Sequence, residues 1–425
     1  MSEWVDAIVL GGGVAGLTAA YRLRDMNVQV IERSSKIGGR TLSEHLKNGS
    51  WANYAAQYLS RDKVTMLALC EELGVETIHC PFEEADIRGL DGLPASEAAD
   101  IEFVRRRIAV EQLRPRDPAS VELDQVSFAE WLGDDAPYHV LSHFDHWCSS
   151  LMCVSSAETS LYGALMLWGE QRWSAFTAES VPMSNHGDVV IVGGTSELSK
   201  ALAAAGQASI QTNSEVTAVR PINGGYEVHY YSETESVLKA PYIICALPAP
   251  VALAVLLELP PWKRSALGQI RYGRFVSTPI AVTPRMVKGS NINLTRSRPR
   301  QIYNTNNFAL KTPGDLAEDG GCFHSYVYDC HARQIWNDPD DMTKTGAARA
   351  LLDHYPHLED RIEWVGIKRW KYGLPAYSLG RMGIQSLIEA PVGGIHFCGD
   401  YVLRSNTDGA ARSAEYVANA ILADN

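Results

Sequence analysis

The sequence lacks the features that mark several classes of protein. Its eight cysteines include no Cys-x-x-Cys pair and no cysteine–histidine spacing of the zinc-binding type, so we expect free thiols and no metal site. The longest apolar stretch, residues 246–259, is interrupted by Pro248 and Pro250 and contains Glu258, so we expect no membrane span. No positively charged segment followed by an apolar one precedes the first predicted strand, which favours a cytoplasmic location.

An excess of positive charge is also missing. The 425-residue chain has a formal net charge of −12 and a pI near 5.5, so nucleic acid and anionic membranes are not expected partners, since both require a basic surface. One dense basic cluster, at Arg296, Arg298 and Arg300, is interpreted as a solvated loop. The length predicts two or three domains, and the composition is that of a globular protein.

Strand and helix patterns alternate at the start of the chain. An apolar run over residues 4–10 predicts a buried strand, helical spacing follows over residues 14–26, and a second strand is predicted over residues 27–31. Together they form a βαβ unit. Further strands are predicted within residues 189–246, and the chain closes with a strand and a helix over residues 394–422.

A glycine motif lies at the turn between the first strand and the first helix. Gly11, Gly13 and Gly16 form Gly-x-Gly-x-x-Gly, in which the first glycine permits the tight turn, the second admits a pyrophosphate, and the third allows helix and strand to pack closely. The helix start at Val14 and Ala15 directs free N–H groups and the positive end of the helix dipole toward the phosphates. The turn therefore predicts a dinucleotide site.

An acidic residue follows the second predicted strand. Glu32 is placed to accept hydrogen bonds from ribose hydroxyls, and its charge would repel a 2′-phosphate, which argues against NADP. At this point NAD and FAD both remain open.

Further motifs resemble a known family. Residues 38–41, Gly-Gly-Arg-Thr, add a second glycine turn and a fixed cation, and this arrangement resembles the flavin-containing amine oxidase superfamily, which includes monoamine oxidases and protoporphyrinogen oxidase. Residues 61–77 and 152–168 are similar to helices of monoamine oxidases. Residues 395–400 followed by 407–413 resemble the final flavin motif of the family.

The resemblance implies an α/β fold with a Rossmann-type FAD-binding domain of the glutathione-reductase-like kind and an inserted α+β substrate domain. We expect residues 1–80, 186–248 and 356–425 to form the FAD-binding domain, and residues 81–185 and 249–355 to form the substrate-binding domain.

The resemblance also implies a set of cofactor-binding residues. Asp400 would bind the ribityl hydroxyls, the helix that begins near Thr407 would direct its N–H groups at the flavin N1–C2=O edge, and Val216 would contact the adenine. The full set is Gly11, Gly13, Val14, Ala15, Gly16, Glu32, Arg33, Gly39, Arg40, Thr41, Gln57, Val216, Trp370, Gly399, Asp400, Thr407, Asp408 and Ala410.

The sequence departs from the amine oxidase pattern at the reaction centre. Ser277 or Thr278 stands where the family usually has a lysine that holds a water beside flavin N5, so fast reaction with oxygen is not expected. Gly373 and Asn406 stand at the two positions of the aromatic cage of monoamine oxidases. Tyr372 falls where some members attach the flavin through cysteine, so noncovalent FAD is expected.

A further departure lies near the flavin face. Within residues 53–57, Ala55 and Ala56 replace the glycine pair of the family, which requires negative φ at both positions.

These observations predict an FAD-dependent oxidoreductase in which the flavin carries the chemistry and side chains orient a small-molecule substrate. Removal of a hydride from a C–N bond of a small amine or amino-acid-derived substrate, giving an imine, is the first hypothesis, with oxygen or another electron acceptor. C–C desaturation of a cyclic or porphyrinogen-like substrate is the second, favoured by the Leu374-Pro375-Ala376-Tyr377 run, and flavin binding without net oxidation is the third.

The predicted pocket residues are Tyr372, Tyr377, Asn406 and Tyr328, with His324 and Tyr326 as further candidates. A homodimer is compatible with the sequence.

Overall fold

The computed structural model describes residues 3–59, 63–79, 93–115, 121–167, 171–173, 180–182, 189–283, 292–294, 308–310 and 321–424. The arginine cluster at 296–300 lies outside the described residues, as do Cys80, Arg61 and Trp168.

The described helices range from one turn to five. They are α1 (Val14–Arg22), α2 (Val64–Glu72), α3 (Ala95–Leu113), α4 (Phe128–Leu132), α5 (Tyr138–Met152), α6 (Leu161–Leu167), α7 (Ser196–Ala205), α8 (Ala249–Val255), α9 (Pro261–Gly268), α10 (Asp329–Gln334), α11 (Asp340–His354), α12 (Gln385–Glu389) and α13 (Thr407–Asp424). Short 3₁₀ segments cover Gly39–Thr41, Glu122–Asp124, Pro356–Arg361 and Met382–Ile384. None of the described helices combines the length and apolar character needed to cross a membrane.

The described strands form three larger sheets and three two-stranded antiparallel sheets. They are β1 (Glu3–Trp4), β2 (Ala7–Leu10), β3 (Val28–Ile31), β4 (Ser43–His45), β5 (Trp51–Asn53), β6 (Thr77–His79), β7 (Gln171–Trp173), β8 (Ser180–Pro182), β9 (Val189–Ile191), β10 (Ser209–Gln211), β11 (Glu215–Ile222), β12 (Gly225–Tyr231), β13 (Glu235–Ala240), β14 (Tyr242–Cys245), β15 (Tyr272–Val282), β16 (Ile292–Leu294), β17 (Phe308–Leu310), β18 (Gly321–Tyr328), β19 (Ile362–Val365), β20 (Lys368–Pro375) and β21 (Ile395–Phe397).

A five-stranded parallel sheet carries the glycine motif. Its order is β10-β3-β2-β14-β21, and every neighbouring pair runs parallel. Both faces are covered, because Ala7 and Val9 of β2 belong to one apolar cluster while Ile8 and Leu10 belong to another. A sheet buried on both faces needs continuous apolar strands, which is why the opening run lacks the alternation of a half-exposed strand. This sheet and its helices confirm the predicted α/β class.

Two helices from opposite ends of the chain pack on the first of these faces. Small side chains line the contact between α1 and α13 and allow the two helices to approach closely. They include Ala15, Ala19, Ala411, Ala414 and Ala418. The C-terminal helix therefore completes the core that the N-terminal βαβ unit begins.

A second sheet is antiparallel and centred on β15. Its order is β16-β17-β18-β15-β19, and β20 pairs with β15 beside β19. All eight residues of β18 are buried, since Phe323 packs against α11 on one face and Tyr326 packs toward residues 53–57 on the other. A third sheet joins β11, β12 and β13 as an antiparallel meander, with β1 added in parallel.

The predicted domain division differs from the strand pairing at one place. Residues 356–425 were assigned to the FAD-binding domain, but β19 and β20 within that segment pair with β15 of the antiparallel sheet. The reason is that β15 is eleven residues long, so a single edge accommodates both strands in turn. We therefore propose that the substrate-binding part includes residues 362–375, and the other predicted bounds stay predictions.

Several element boundaries also differ from the sequence predictions. The opening strand is split into β1 and β2, because the Asp6 carboxylate accepts the backbone N–H of Asn27 (2.8 Å) at the break. Helix α1 ends at Arg22 instead of Met26, where Asp25 and Asn27 have low helix propensity. The hairpin at Asn223-Gly224-Gly225 is confirmed between β11 and β12.

A buried lysine ties α9 to the end of α12. Lys263 is fully buried, and its Nζ donates hydrogen bonds to the main-chain oxygens of Leu387 (3.0 Å), Ile388 (2.6 Å) and Ala390 (2.6 Å). The ammonium also lies 3.8 Å from the ring centroid of Phe397 on β21. Burial lowers the pKa of Lys263 to about 7, but three carbonyl acceptors match the three N–H donors of the charged form. Lys263 thus caps α12 and supports the last strand of the parallel sheet.

We expect Lys263→Met to lower the free energy of unfolding by about 1–3 kcal/mol, because it leaves buried carbonyl groups without their donor. Urea denaturation followed by far-UV circular dichroism measures this change. The control is Lys200→Met, which removes an exposed ion pair with Glu197 (2.7 Å) and should change stability by less than about 1 kcal/mol. Equal stability of the two variants would contradict the capping role.

Candidate cofactor site

The three glycines of the first turn have distinct surroundings. Gly11 has φ +100°, in the region that favours glycine. A Cβ on Gly16 would lie 2.0 Å from the main-chain oxygen of Gly11, so only glycine permits this contact between helix and turn. A Cβ on Gly13 would meet no protein atom within 4 Å, so the turn is open at this position. This open cradle fits the pyrophosphate that the motif predicts, beside the first helical turn at Val14 and Ala15.

Glu32 lies directly beside this turn. One carboxylate oxygen accepts the N–H of Gly12 (2.8 Å) and the other accepts the N–H of Ser34 (2.7 Å). The main-chain oxygen of Glu32 accepts the N–H of Ser214 (2.9 Å), two residues before Val216. The structure therefore brings the predicted ribose acid and the predicted adenine-side strand to the same edge of the sheet. Arg33 is exposed and lies 3.8 Å from Glu215.

The second glycine turn packs against the first. The N–H of Gly38 donates to the main-chain oxygen of Gly12 (2.7 Å). Gly39 has φ +55°, and a Cβ at this position would lie 3.4 Å from Gly13 Cα. Thr41 Oγ1 lies 2.8 Å from the Gly38 oxygen and 2.6 Å from the hydroxyl of Ser199 on α7. These contacts fix both turns as one unit.

Arg40 joins this unit to the C-terminal motif. Its guanidinium donates to both carboxylate oxygens of Asp400 (2.5 and 2.9 Å) and to the main-chain oxygen of Gly373 (2.7 Å). Burial by itself lowers the pKa of Arg40, but the Asp400 carboxylate raises it, and the net shift is upward. Arg40, which is predicted to bind the cofactor, is thus held by a carboxylate inside the protein. Asp400 follows Gly399, which has φ +138° and donates its N–H to Ser413 Oγ (2.9 Å).

The start of α13 is capped by a residue that was predicted to line the pocket. Asn406 Oδ1 accepts the N–H of Gly409 (2.8 Å), which is the usual role of asparagine before a helix. Asp408, predicted to bind the cofactor, accepts the N–H of Met66 in the first turn of α2 (2.9 Å). Ala410 packs in the core between α1 and α13, so its backbone is the part that a cofactor could reach. Thr407 is half-buried at the helix start.

Residues 53–57 are held from both sides. On the side of the parallel sheet, Thr195 donates its hydroxyl to the Ala56 oxygen (3.1 Å) and its N–H to Asn53 Oδ1 (3.1 Å). Among the described non-glycine residues positive φ occurs at four positions, which include neither Ala55 nor Ala56. The condition for replacing the family glycines by alanine is therefore met.

On the side of the antiparallel sheet, three side chains form hydrogen bonds with the main chain of the same segment. His324 Nε2 accepts the N–H of Asn53 (3.0 Å), Trp370 Nε1 donates to the oxygen of Tyr54 (2.9 Å), and the Tyr326 hydroxyl donates to the oxygen of Ala55 (3.1 Å). Gln57 also donates to the Tyr326 hydroxyl. His324 was a candidate to face the flavin, but it is fully buried and holds main chain instead.

Strand register decides between the two candidates at the lysine position. Ser277 lies opposite Tyr326 and shares its face of the sheet with Phe275, whereas Thr278 points to the other face and donates to the Ser325 oxygen (3.5 Å). Ser277 is therefore the residue that faces the segment 53–57.

Four aromatic rings lie on the same face of the sheet as Ser277. The ring of Phe275 lies 5.7 Å from Tyr326, 6.3 Å from Tyr328 and 6.2 Å from Trp370, measured between centroids. Tyr326 and Tyr328 stack at 5.9 Å. Burial raises the pKa of Tyr326 well above its usual range, so its phenol stays neutral. We call these four rings, Phe275, Tyr326, Tyr328 and Trp370, the aromatic cluster.

The other predicted pocket residues have different neighbours. Tyr372 packs edge-on against Tyr272 at 5.6 Å. Tyr377 accepts the N–H of Ser405 through its hydroxyl (3.1 Å) and packs against Tyr162 at 6.0 Å. Of the four predicted pocket residues, Tyr328 lies in the aromatic cluster, while Tyr377 and Asn406 order the loop that leads into α13.

Sequence reasoning missed Tyr54 and the anchoring role of Thr195. The Thr195-Ser196 pair at the start of α7 is a typical signal for a helix start, but its hydrogen bonds reach residues 142 and 154 positions away. No local pattern identifies partners at such distances.

Comparisons with known proteins agree with this geometry. Residues 14–422 match the sequence pattern of the family described as flavin containing amine oxidoreductase. An L-amino acid dehydrogenase from Synechocystis sp. is 23% identical, over 99% of this chain and 95% of that protein. A putrescine oxidase from Kocuria rosea is 33% identical over 30% of each chain. The structure of cyclohexylamine oxidase from Brevibacterium oxydans IH-35A has a TM-score of 0.78 at 17% identity over 99% of both chains, which confirms the predicted fold.

Two glycine variants test where the phosphates bind. Gly13→Ala should leave the stability of the apoprotein within about 0.5 kcal/mol of wild type, because its φ of −77° suits alanine and the added methyl meets no protein atom. Its affinity for FAD should fall by at least about tenfold, since the methyl fills the open cradle. Gly16→Ala should lower the stability itself by about 1–3 kcal/mol through its clash with Gly11.

Urea denaturation of the apoprotein and quenching of flavin fluorescence on titration with FAD measure the two effects separately. If Gly13→Ala binds FAD as tightly as wild type, the pyrophosphate does not lie over this turn.

Proposed function

The chain belongs to the flavin containing amine oxidoreductase family, and we propose that it removes a hydride from a C–N bond of a small amine or amino-acid-derived substrate to give an imine. It is an FAD-dependent oxidoreductase. When bound, FAD supplies the hydride acceptor, and the protein supplies binding and orientation. Tyr372 at the position used for covalent attachment supports noncovalent binding.

The observation that carries the proposal is the position of the aromatic cluster. It lies on the sheet face that contacts residues 53–57. The Ala56 N–H of this segment donates to the main-chain oxygen of Arg40 (3.0 Å), which belongs to the second glycine turn. A substrate between the cluster and the cofactor would have apolar, neutral surroundings, because Arg40 is paired with Asp400 and burial keeps the phenol of Tyr326 protonated.

Neutral surroundings favour the uncharged amine. Burial of an unpaired ammonium is costly, so the protonated substrate would lose its proton to solvent before or during binding. The nitrogen lone pair is then free to form the C=N bond, and bound FAD would accept the hydride of the adjacent C–H bond.

We further propose that an acceptor other than oxygen takes the electrons. The strand register directs Ser277, and not a lysine, toward the segment 53–57, so this position lacks the cation that the family resemblance associates with fast oxygen reaction. The similarity to a dehydrogenase over 99% of the chain supports the same proposal.

C–C desaturation of a cyclic substrate is a second candidate. The observation in its favour is that the two cage positions are glycine and asparagine, so neither presents an aromatic ring. Gly373 accepts a hydrogen bond from Arg40 through its main-chain oxygen, and Asn406 caps α13. The Leu374-Pro375-Ala376-Tyr377 run resembles protoporphyrinogen oxidase.

Anaerobic mixing with candidate substrates separates these functions. We expect primary amines or L-amino acids to bleach the visible absorbance of the bound flavin and to yield an imine that hydrolyses to a carbonyl compound and ammonia. Mass spectrometry of the product identifies the bond that was oxidised. Bleaching by a cyclic, partly saturated precursor alone would replace the first proposal with the second, and no bleaching by either class would contradict both.

Ser277→Lys tests the choice of acceptor. After anaerobic reduction by substrate, the wild type should be reoxidised by a quinone or dye faster than by oxygen, and Ser277→Lys should raise the rate constant with oxygen by about tenfold, equal to about 1.4 kcal/mol of barrier. Thr278→Val, on the opposite face, is the matched control and should leave the oxygen rate unchanged. Because Ser277 is fully buried, flavin content and melting temperature are measured alongside. Rapid reoxidation of the wild type by oxygen would contradict the proposal.

A further inference from the structure

Strand β20 contains a bulge beside Arg40 of the second glycine turn. Gly273 of β15 pairs with Leu374, but Phe275 pairs with Trp370, so one β15 residue faces three residues of β20, Lys371 to Gly373. A bulge takes main-chain groups out of the ladder and leaves them in need of other partners. A Cβ on Gly373 would lie 2.5 Å from the Phe275 ring, so the bulge also depends on glycine at this position.

Arg40 provides the missing partner. Its guanidinium donates to the oxygen of Gly373 (2.7 Å), and the same NH1 group, together with NH2, donates to Asp400. Asp400 is almost fully buried and the side chain of Arg40 is 27% exposed, so these hydrogen bonds lie largely out of water. A charged donor to a main-chain oxygen in such surroundings is among the stronger hydrogen bonds of a protein.

The bulge carries side chains that the site needs. Trp370, at one end of it, belongs to the aromatic cluster and holds the oxygen of Tyr54. Tyr372, inside it, packs on Tyr272. Any shift of the bulge would move both rings relative to residues 53–57.

We propose that Arg40 is a positioning residue that joins the cofactor loop at Asp400 to the wall of the substrate site, because it holds the bulge of β20 at Gly373 with the same guanidinium. This role is additional to any contact with FAD, and it does not depend on which substrate is oxidised. It uses the planar fork of arginine, because two separate nitrogens meet the two carboxylate oxygens side by side while one of them also reaches the carbonyl, whereas a lysine presents a single nitrogen to all three acceptors.

Hydrogen–deuterium exchange of the apoprotein tests the contact. In Arg40→Lys, amide exchange in the peptide spanning residues 368–376 should accelerate by about tenfold, as expected for the loss of a hydrogen bond to a charged donor. In Asp400→Asn, which leaves the Gly373 contact intact, exchange in this peptide should stay near the wild-type rate. Arg264→Lys is the control, because Arg264 also donates to a main-chain oxygen, that of Leu256 (3.3 Å), but on the exposed surface of α9.

The peptide over β12 reports whether the fold as a whole is retained, and Arg40→Gln replaces Arg40→Lys if the latter does not fold. Unchanged exchange over residues 368–376 in the Arg40 variants would overturn the proposal. Equal acceleration in Asp400→Asn would overturn it as well, since the ion pair and not the Gly373 contact would then hold the bulge.

Kinetics of the FAD-saturated protein give a second readout that general destabilisation would not produce. Arg40→Lys should raise KM for the substrate that the protein oxidises by about fivefold, with a smaller change in kcat. The reason is that the variant shifts the wall of the substrate site but leaves the bound hydride acceptor in place. Asp400→Asn should mainly weaken FAD binding. A change in FAD affinity alone in Arg40→Lys would overturn the proposal. If the wild type oxidises no amine, the proposed function fails while the exchange experiment still decides the role of Arg40.

Discussion

The buried main chain of residues 53–57 is the constraint on which the site depends. A segment that passes between two sheets cannot join either ladder fully, and each buried N–H and C=O must still find a partner. Here Thr195 forms hydrogen bonds with the segment from one side, and His324, Tyr326 and Trp370 form hydrogen bonds with it from the other. These hydrogen bonds fix the antiparallel sheet against residues 53–57, the segment beside which we propose that the substrate binds.

This constraint explains why side chains predicted to line the pocket or to bind the cofactor make hydrogen bonds within the protein. His324 offers a lone pair to a buried N–H, which commits that nitrogen as an acceptor. Asn406 and Asp408 use their oxygens to cap helices. The polar groups around the proposed pocket are therefore largely occupied by the protein itself, which is consistent with chemistry carried by a bound flavin and not by an acid–base residue.

The cofactor half of the fold was predictable because its signals are local. Gly11, Gly13, Gly16 and Glu32 lie within one βαβ unit, where turn geometry and strand burial leave their mark on neighbouring residues. The pocket was not predictable in the same way. Whether Ser277 or Thr278 faces the segment 53–57 depends on strand register, and the pairing of Arg40 with Asp400 joins residues 360 positions apart. Neither leaves a periodic pattern in the sequence.

The parallel sheet has a consequence for how the protein is made. Strand β14 lies between β2, which ends at Leu10, and the edge strand β21, which ends at Phe397. The apolar surface of α1 is likewise covered by α13. During translation the first βαβ unit keeps part of its core uncovered until β14 and α13 have been synthesised. Synthesis speed and chaperone protection of the nascent chain therefore bear on the yield of protein that is able to take up FAD.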